Sequence, residues 1–259
     1  MKHIRKIIVN MLLGAFLVNL LWFVAARTLQ INVLPDPVTV YAHLGDVWQR
    51  GMSVHLLTSL WRMTMGIIIA ALIGTITAFG MMQSRVTGRL LEAFVYFAYP
   101  VPKLALLPVV MLLAGLGDAA KIIMIVLIIL FQIIINVRDS LRNIPPESFF
   151  IVTSLGAGKW DVFHHIILPA ILPDLLSTLR VATGTAISVL FVTETYGTDH
   201  GMGYFVVDAW MRINYTDMYA GIVILSMTGF LLFLLMDLLE AWLCKWRENS
   251  TSTPFMLPL

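Results

Sequence analysis

Long apolar runs separated by short polar stretches dominate this chain. The first covers residues 7–26, and further runs lie at residues 56–82, 90–114, 119–137, 175–196 and 218–243. A helix needs about 20 apolar residues to cross the hydrocarbon core, and each run is of that order. Within lipid the backbone must satisfy its own hydrogen bonds, so runs of this kind are read as helices. The alternation over short segments that marks a transmembrane β-barrel does not occur in the sequence. The pattern predicts an all-α, polytopic membrane helical bundle with about six transmembrane helices.

Composition agrees. Of 259 residues, 59% are hydrophobic and 12% charged, about half the ~25% charged share of soluble domains. The opening run follows Lys2, Arg5 and Lys6. It exceeds the ~7–15 apolar residues of a signal peptide, so it is read as a retained span. A net charge of +2 is too small and dispersed for nucleic-acid binding. Cys244 is the single cysteine, which rules out an intrachain disulfide.

Basic residues set the orientation. With a cytoplasmic amino terminus, that side collects Lys2, Arg5, Lys6, Arg85, Arg89, Arg138, Arg142, Lys159, Lys245 and Arg247, and the opposite side keeps Arg27, Arg50, Lys121 and Arg212. Both termini are therefore expected in the cytoplasm, in a multi-pass protein. The expected organisation is an amino-terminal transmembrane helix (residues 1–30), an outer loop with an amphipathic helix (31–55), a core of spans (56–243) and a disordered cytoplasmic tail (244–259).

Several positions predict local structure. In the outer loop, Val40, Leu44, Val47 and Trp48 fall on one helical face after a proline-marked entry. Gly66, Ala70, Gly74 and Ala78 recur every fourth residue of the second span, so another helix can approach that face closely. Pro100, Pro102 and Pro108 remove backbone donors and break the third span. No internal repeat is visible.

No catalytic constellation emerges. The fragment GAGKW is like part of a phosphate loop, but Thr153 stands where its first glycine belongs and Trp160 where a magnesium-binding hydroxyl belongs. His164 and His165 are adjacent and cannot share a helical face as a metal pair, so no metal site is expected. Polar groups inside the spans are the remaining candidates, because charge in a membrane is costly and commonly functional. Arg62, Lys103, Gln132, Asn136, Arg180, Ser188 and Glu194 are the candidate substrate-pathway residues. The competing reading is structural: Arg62 snorkels outward, Arg180 reaches headgroups or pairs with Asp174, and Glu194 sits near the outer end.

One polar interruption stands out. Residues 147–173 read ESFFIVTSLGAGKWDVFHHIILPAILP, two short helix-like pieces around a glycine pair. Gly156, then Ile166, then Leu168 and Pro169 resemble the glycine-to-LP core of the "EAA" loop in permeases of binding-protein-dependent ABC importers. The wider stretch is similar to the nitrate/sulfonate/taurine permease family. SLWRMTMG, PVPKLALLP, LLAGLGDAAKI and TETYGTDHGMGYFVVDAW agree with that family, so the likeness covers nearly the whole chain. One departure is present: the family's acidic position falls on Phe150, and Glu147 one helical turn earlier either replaces it or the charge is dispensable.

The resemblance implies a type I ABC importer permease (MetI-like) fold in a bacterial inner membrane. It implies a small solute, nitrate, sulfonate, taurine or a related anion, delivered by an extracytoplasmic binding protein. It further implies a homodimer with two cytoplasmic ATPase subunits that use ATP and Mg, while this chain catalyses nothing and binds no cofactor. The coupling loop, residues 138–169, would engage the ATPase through Glu147, Phe149, Phe150, Val152, Ser154, Leu155, Gly156, Ala157, Gly158, Leu168 and Pro169. Phe149, Phe150 and Val152 would enter a groove on that subunit. The binding protein would dock on residues 35–51 and 197–217. An ion-coupled secondary transporter is the alternative, and it would show paired broken helices and pseudo-symmetry.

Overall fold

The computed structural model describes residues 2–154 and 156–248, and among them every regular element is helical. The chain begins with α1 (Lys2–Leu29) and then α2 (Pro37–Val47). Asp36 caps α2: its carboxylate accepts the Val38 N–H at 2.8 Å, and Pro37 sits in the first turn, where its missing N–H has no partner to lose. A wide turn over Trp48–Met52 follows, in which Gly51 has φ 98°, a left-handed conformation that glycine adopts without steric penalty. Next come α3 (Ser53–Gln83) and α4 (Arg85–Ala98), the latter opened by the Ser84 hydroxyl, which accepts the Thr87 N–H at 3.1 Å. A 3₁₀ turn at Lys103–Leu106 precedes α5 (Leu107–Ala114), then α6 (Asp118–Arg142) and α7 (Pro146–Ser154). α8 (Lys159–Val162) passes through a π-helical turn at Phe163–Ile167 into α9 (Leu168–Thr193). The chain ends with α10 (Met202–Met211), α11 (Tyr215–Leu243) and α12 (Lys245–Glu248).

The number of spans corrects the sequence reading. Among the described residues, four helical runs are long and apolar enough to cross a membrane: Pro37–Gln83, Asp118–Arg142, Lys159–Thr193 and Tyr215–Leu243. A fifth arises if α4 and Lys103–Ala114 count as one span bent by 84°. The bend lies where Pro100 and Pro102 withdraw donors, as the sequence predicts. The expected first span supplies only a shorter apolar stretch among the described residues, Leu13–Leu29. Residues 249–259 of the expected tail lie outside the described residues.

The chain divides into two compact units. One comprises Met1–Thr58 and Asp199–Met227. Its core joins Val40, Val47 and Met52 to Met202, Ala220, Val223 and Ile224. Trp22 of α1 stacks on Tyr219 at 5.4 Å and donates its indole N–H to the Pro35 carbonyl at 3.1 Å. Of the amphipathic face expected in α2, Val40 and Val47 are buried and Leu44 packs beside them. Trp48 is exposed instead, because α2 ends at Val47 and the chain turns toward Gly51.

The second unit comprises Ser59–Thr198 and Thr228–Leu259. α6 and α9 pack together at its centre, with Met124, Ile125, Ile129 and Ile133 wholly buried on α6 and Ala182 and Ala186 on α9. The small-residue stripe of α3 meets α6 directly. A Cβ at Gly66 would lie 2.6 Å from Ile125 Cγ2, and one at Gly74 would lie 2.8 Å from Ile133 Cγ2. Glycine is required there because two helices touch along that line.

Candidate functional site

The second unit holds a buried ionic network. Ser59 and Arg62 stand one turn apart on α3, and Glu194 follows the last residue of α9. The Ser59 hydroxyl donates to the Glu194 carboxylate at 2.8 Å, and Arg62 Nη1 donates to Glu194 Oε1 at 2.8 Å. Arg62 Nε and Nη2 both reach Asp118 Oδ1, at 2.8 and 2.7 Å, and Nη2 also reaches the Thr198 hydroxyl at 3.2 Å. Arg62 is 3% exposed and Glu194 1%, so neither snorkels to a headgroup. A buried guanidinium persists where its donors are this fully engaged. Two residues expected along a pathway are thus each other's partners.

Further along α6 and α9 lies a polar trough. Gln132 and Asn136, both singled out in the sequence, line one stretch with Asp139 from α6 and Ser177 from α9. A second stretch runs past Ser148 and His165, and Ser140, Asn143 and Asp174 line both. The Ser140 hydroxyl donates to Asp174 at 2.7 Å. Asp174 was the expected partner of Arg180. Arg180 instead pairs with Asp237 of α11, lies 3.9 Å from Glu240, and donates to the Ser177 hydroxyl at 3.2 Å.

The other candidates separate. The Lys103 ammonium donates to the Tyr99 carbonyl and sits 4.6 Å from the centre of the Phe131 ring, a cation–π contact. Ser188 is exposed on α9 and donates to the Gly184 carbonyl at 3.2 Å. Lys121, overlooked in the sequence as an outer-side charge, is wholly buried and donates to the Leu116 carbonyl at 2.5 Å. Its position as the third residue of the apolar run 119–137 was the available signal.

The loop of residues 147–169 is a helical reversal. The Gly156 N–H bonds to the Thr153 carbonyl at 3.0 Å and the Ala157 N–H to the Val152 carbonyl at 3.4 Å, closing α7 in a Schellman-like cap. Gly156 has φ 81° and nothing within 4 Å of a built Cβ, so conformation alone calls for glycine. The Gly158 N–H donates to Asp161 Oδ2 at 2.9 Å, which starts α8. Ser154 is exposed and donates to the Ile151 carbonyl at 2.9 Å, and Glu147 is exposed in the first turn of α7. Leu168 and Pro169, both half-buried, open α9. Leu155 lies outside the described residues.

The two faces of α7 differ from the expected anchor set. Phe149 and Val152 are half-buried against the chain's own core. Phe150 is 71% exposed, Ile151 64% and Trp160 74%. Phe150, which stands where the family's acidic residue falls, forms an apolar outward face with Ile151.

The first unit brings together the segments expected to form an outer surface. Asp217 receives Arg50 Nη2 at 2.6 Å and Nη1 at 2.8 Å, and His43 Nε2 lies 2.8 Å away. His55 Nδ1 accepts the Gly201 N–H at 3.2 Å, and its ring stacks beside His200 and Tyr204 at 5.8 and 5.9 Å. In the sequence these histidines were scattered points. Only the fold makes them neighbours. Among the described residues, no group of three metal-ligating side chains converges.

With this geometry established, comparisons with known proteins place it. The profile of the family described as "Binding-protein-dependent transport system inner membrane component" matches residues 63–247. The chain is 32% identical to a putative aliphatic sulfonates transport permease protein of Escherichia coli (strain K12), covering 85% of this chain and 84% of that one. It is 29% identical to a taurine transport system permease protein of the same organism, covering 90% and 87%. Among solved structures, an inward-facing conformation of the MetNI methionine ABC transporter superposes with a TM-score of 0.61 at 19% identity, covering 75% of this chain and 95% of the other. That last likeness concerns the fold alone.

Proposed function

Because the chain belongs to the family of binding-protein-dependent transport system inner membrane components, we propose a working arrangement for its assembly and its contact sites. It is a multi-pass protein of the bacterial inner membrane, and its all-α bundle is that of a MetI-like permease. It acts as the permease subunit of an ABC-type importer for a small polar solute, with ATP hydrolysis carried out by a separate subunit and solute delivered by a binding protein. In the proposed assembly two copies enclose the pathway, each engaging one cytoplasmic ATPase that uses ATP and Mg. Both termini lie on the ATPase side.

α7 and α8 form the contact with the ATPase. The observation that carries this reading is an apolar outward face, Phe150, Ile151 and Trp160, on a reversal held by the left-handed Gly156. On a segment that faces water rather than lipid, three large apolar side chains exposed together mark a surface for a partner. Phe149 and Val152 brace α7 on the core, Glu147 and Ser154 lie at its rim, and Ala157 and Gly158 complete the turn. Leu168 and Pro169 pass the movement into α9. Residues 35–51 and 197–217 receive the binding protein. Gln132, Asn136 and Ser188 face the solute path, while Arg62, Glu194, Arg180 and Lys103 maintain its walls. Names of relatives point to sulfonates and taurine as the solute class.

The test is purification of the full-length protein with the ATPase encoded beside it, followed by uptake into proteoliposomes. A stable complex with ATP-dependent uptake supports the reading. Uptake that persists without ATP, together with consistent absence of an ATPase, overturns it.

A further inference from the structure

The trough between α6 and α9 carries a charge preference. Arg138 is held by Asp139 at 2.8 Å and by Glu92 at 3.3 Å, and Arg142 by Glu92 at 3.3 Å. Arg180, whose Nη2 reaches Ser177 in the trough wall, is neutralised by Asp237 with Glu240 nearby. Each guanidinium beside the trough is therefore answered by a carboxylate. Asp174 is different. It lines both stretches and accepts the Ser140 hydroxyl at 2.7 Å, and no cationic side chain among the described residues pairs with it. Asp139 in the same wall is answered by Arg138, and the other polar lining is uncharged: Gln132, Asn136, Asn143, Ser148 and Thr178. His165, the remaining titratable group there, has Nδ1 3.0 Å from the Asp161 carbonyl.

An amide-lined passage with one unanswered carboxylate repels anions and attracts cations, because the fixed charge sets the sign of the local potential. We propose that this trough is the inner stretch of the solute path and accepts a solute bearing a protonated amine, with Asp174 as its contact. This rests on the importer reading and narrows its substrate class. A zwitterion, ammonium at one end and acid at the other, meets the requirement; a bare inorganic anion does not. Gln132 and Asn136 stand one turn apart on α6 and Asn143 caps its end, so their amides supply successive hydrogen bonds to a moving solute.

The trough can be probed without knowing the solute. Cys244, the only native cysteine, is replaced by serine, and Asn136→Cys is introduced as a reporter in the full-length protein in lipid nanodiscs. Its modification is timed with a cationic trimethylammonioethyl methanethiosulfonate and an anionic sulfonatoethyl methanethiosulfonate, each rate divided by that with free 2-mercaptoethanol. The expected ratio favours the cation by about ten-fold, falling toward unity when Asp174→Asn is added. Ser177→Cys serves as a second reporter if the first variant is poorly produced. Equal rates, a preference for the anion, or no reaction with either reagent would overturn the proposal. Recruitment of the ATPase is scored on the same preparation. A protein that binds the ATPase but shows no charge preference refutes the amine inference alone.

Discussion

Arg62 Nη1 lies 2.8 Å from Glu194 Oε1, joining α3 to the end of α9 through two side chains that are 3% and 1% exposed. Removing one partner leaves the other charged in a dry setting. Glu194→Gln is therefore expected to destabilise the protein by about 3 kcal/mol, since half of a buried pair is worse than none. Arg62→Met combined with Glu194→Leu should recover much of the loss. Thermal melting of the purified protein checks both, and an unchanged midpoint for Glu194→Gln would show the pair to be dispensable.

The contact between α3 and α6 makes a sharper prediction. At Gly74 an alanine would press its methyl on Ile133 Cγ2, 2.8 Å from the built Cβ. The expected penalty is about 1–3 kcal/mol of overpacking. Ile133→Leu removes the branching methyl and should relieve part of it. Gly80 is the internal control, its nearest foreign atom being Leu91 Cδ1 at 3.6 Å. Gly80→Ala should be neutral or mildly stabilising, by up to about 1 kcal/mol of helix propensity. If both alanines behave alike in denaturation, close packing is not what selects glycine at position 74.

Substitution at Gly156 acts through the backbone, because its surroundings are empty. An L residue in the left-handed region carries about 1–2 kcal/mol of strain, asparagine least. Coupling of ATP hydrolysis to uptake should decline in the order glycine, Asn, Ala, Val, while the amount of protein inserted stays constant. A Val variant with full coupling would sever the turn from transmission.

Phe149 and Phe150 are neighbours with opposite exposures, and their variants should fail differently. Phe150→Asp alters an exposed side chain and should weaken retention of the ATPase by about ten-fold or more, as loss of an interface anchor does, with little change in melting. Phe149→Ala opens a gap beside the core and should lower the melting temperature instead. Co-purification and calorimetry on both variants distinguish them. Equal effects on both readouts would show that α7 presents no distinct face.

Local features were legible in the sequence because they depend on neighbours a few residues apart. The four-residue stripe of α3, the proline break before α5, the Asp36–Pro37 entry of α2 and the Gly156 reversal are of this kind. Partner choice was not legible. Arg62 and Glu194 are 132 residues apart, and the sequence offers several carboxylates of equal merit. Arg180 has Asp174 one and a half turns away on its own helix and still takes Asp237, since α11 packs where that carboxylate can reach it. One of the missing spans has a similar origin. Hydropathy measures how apolar a run is, whereas crossing depends on how straight it remains, and α4 and α5 are bent by 84°.

The π-helical turn at Phe163–Ile167 sits between the exposed Trp160 and the first residue of α9. One residue more or less in a helix rotates everything beyond it by about 100°. The turn thus fixes the phase between the outward face of α8 and the face α9 presents to α6. His164 and His165 occupy that stretch, and its residue count matters beyond their chemistry. A single-codon deletion there would point Trp160 in a new direction and leave the transmembrane core untouched.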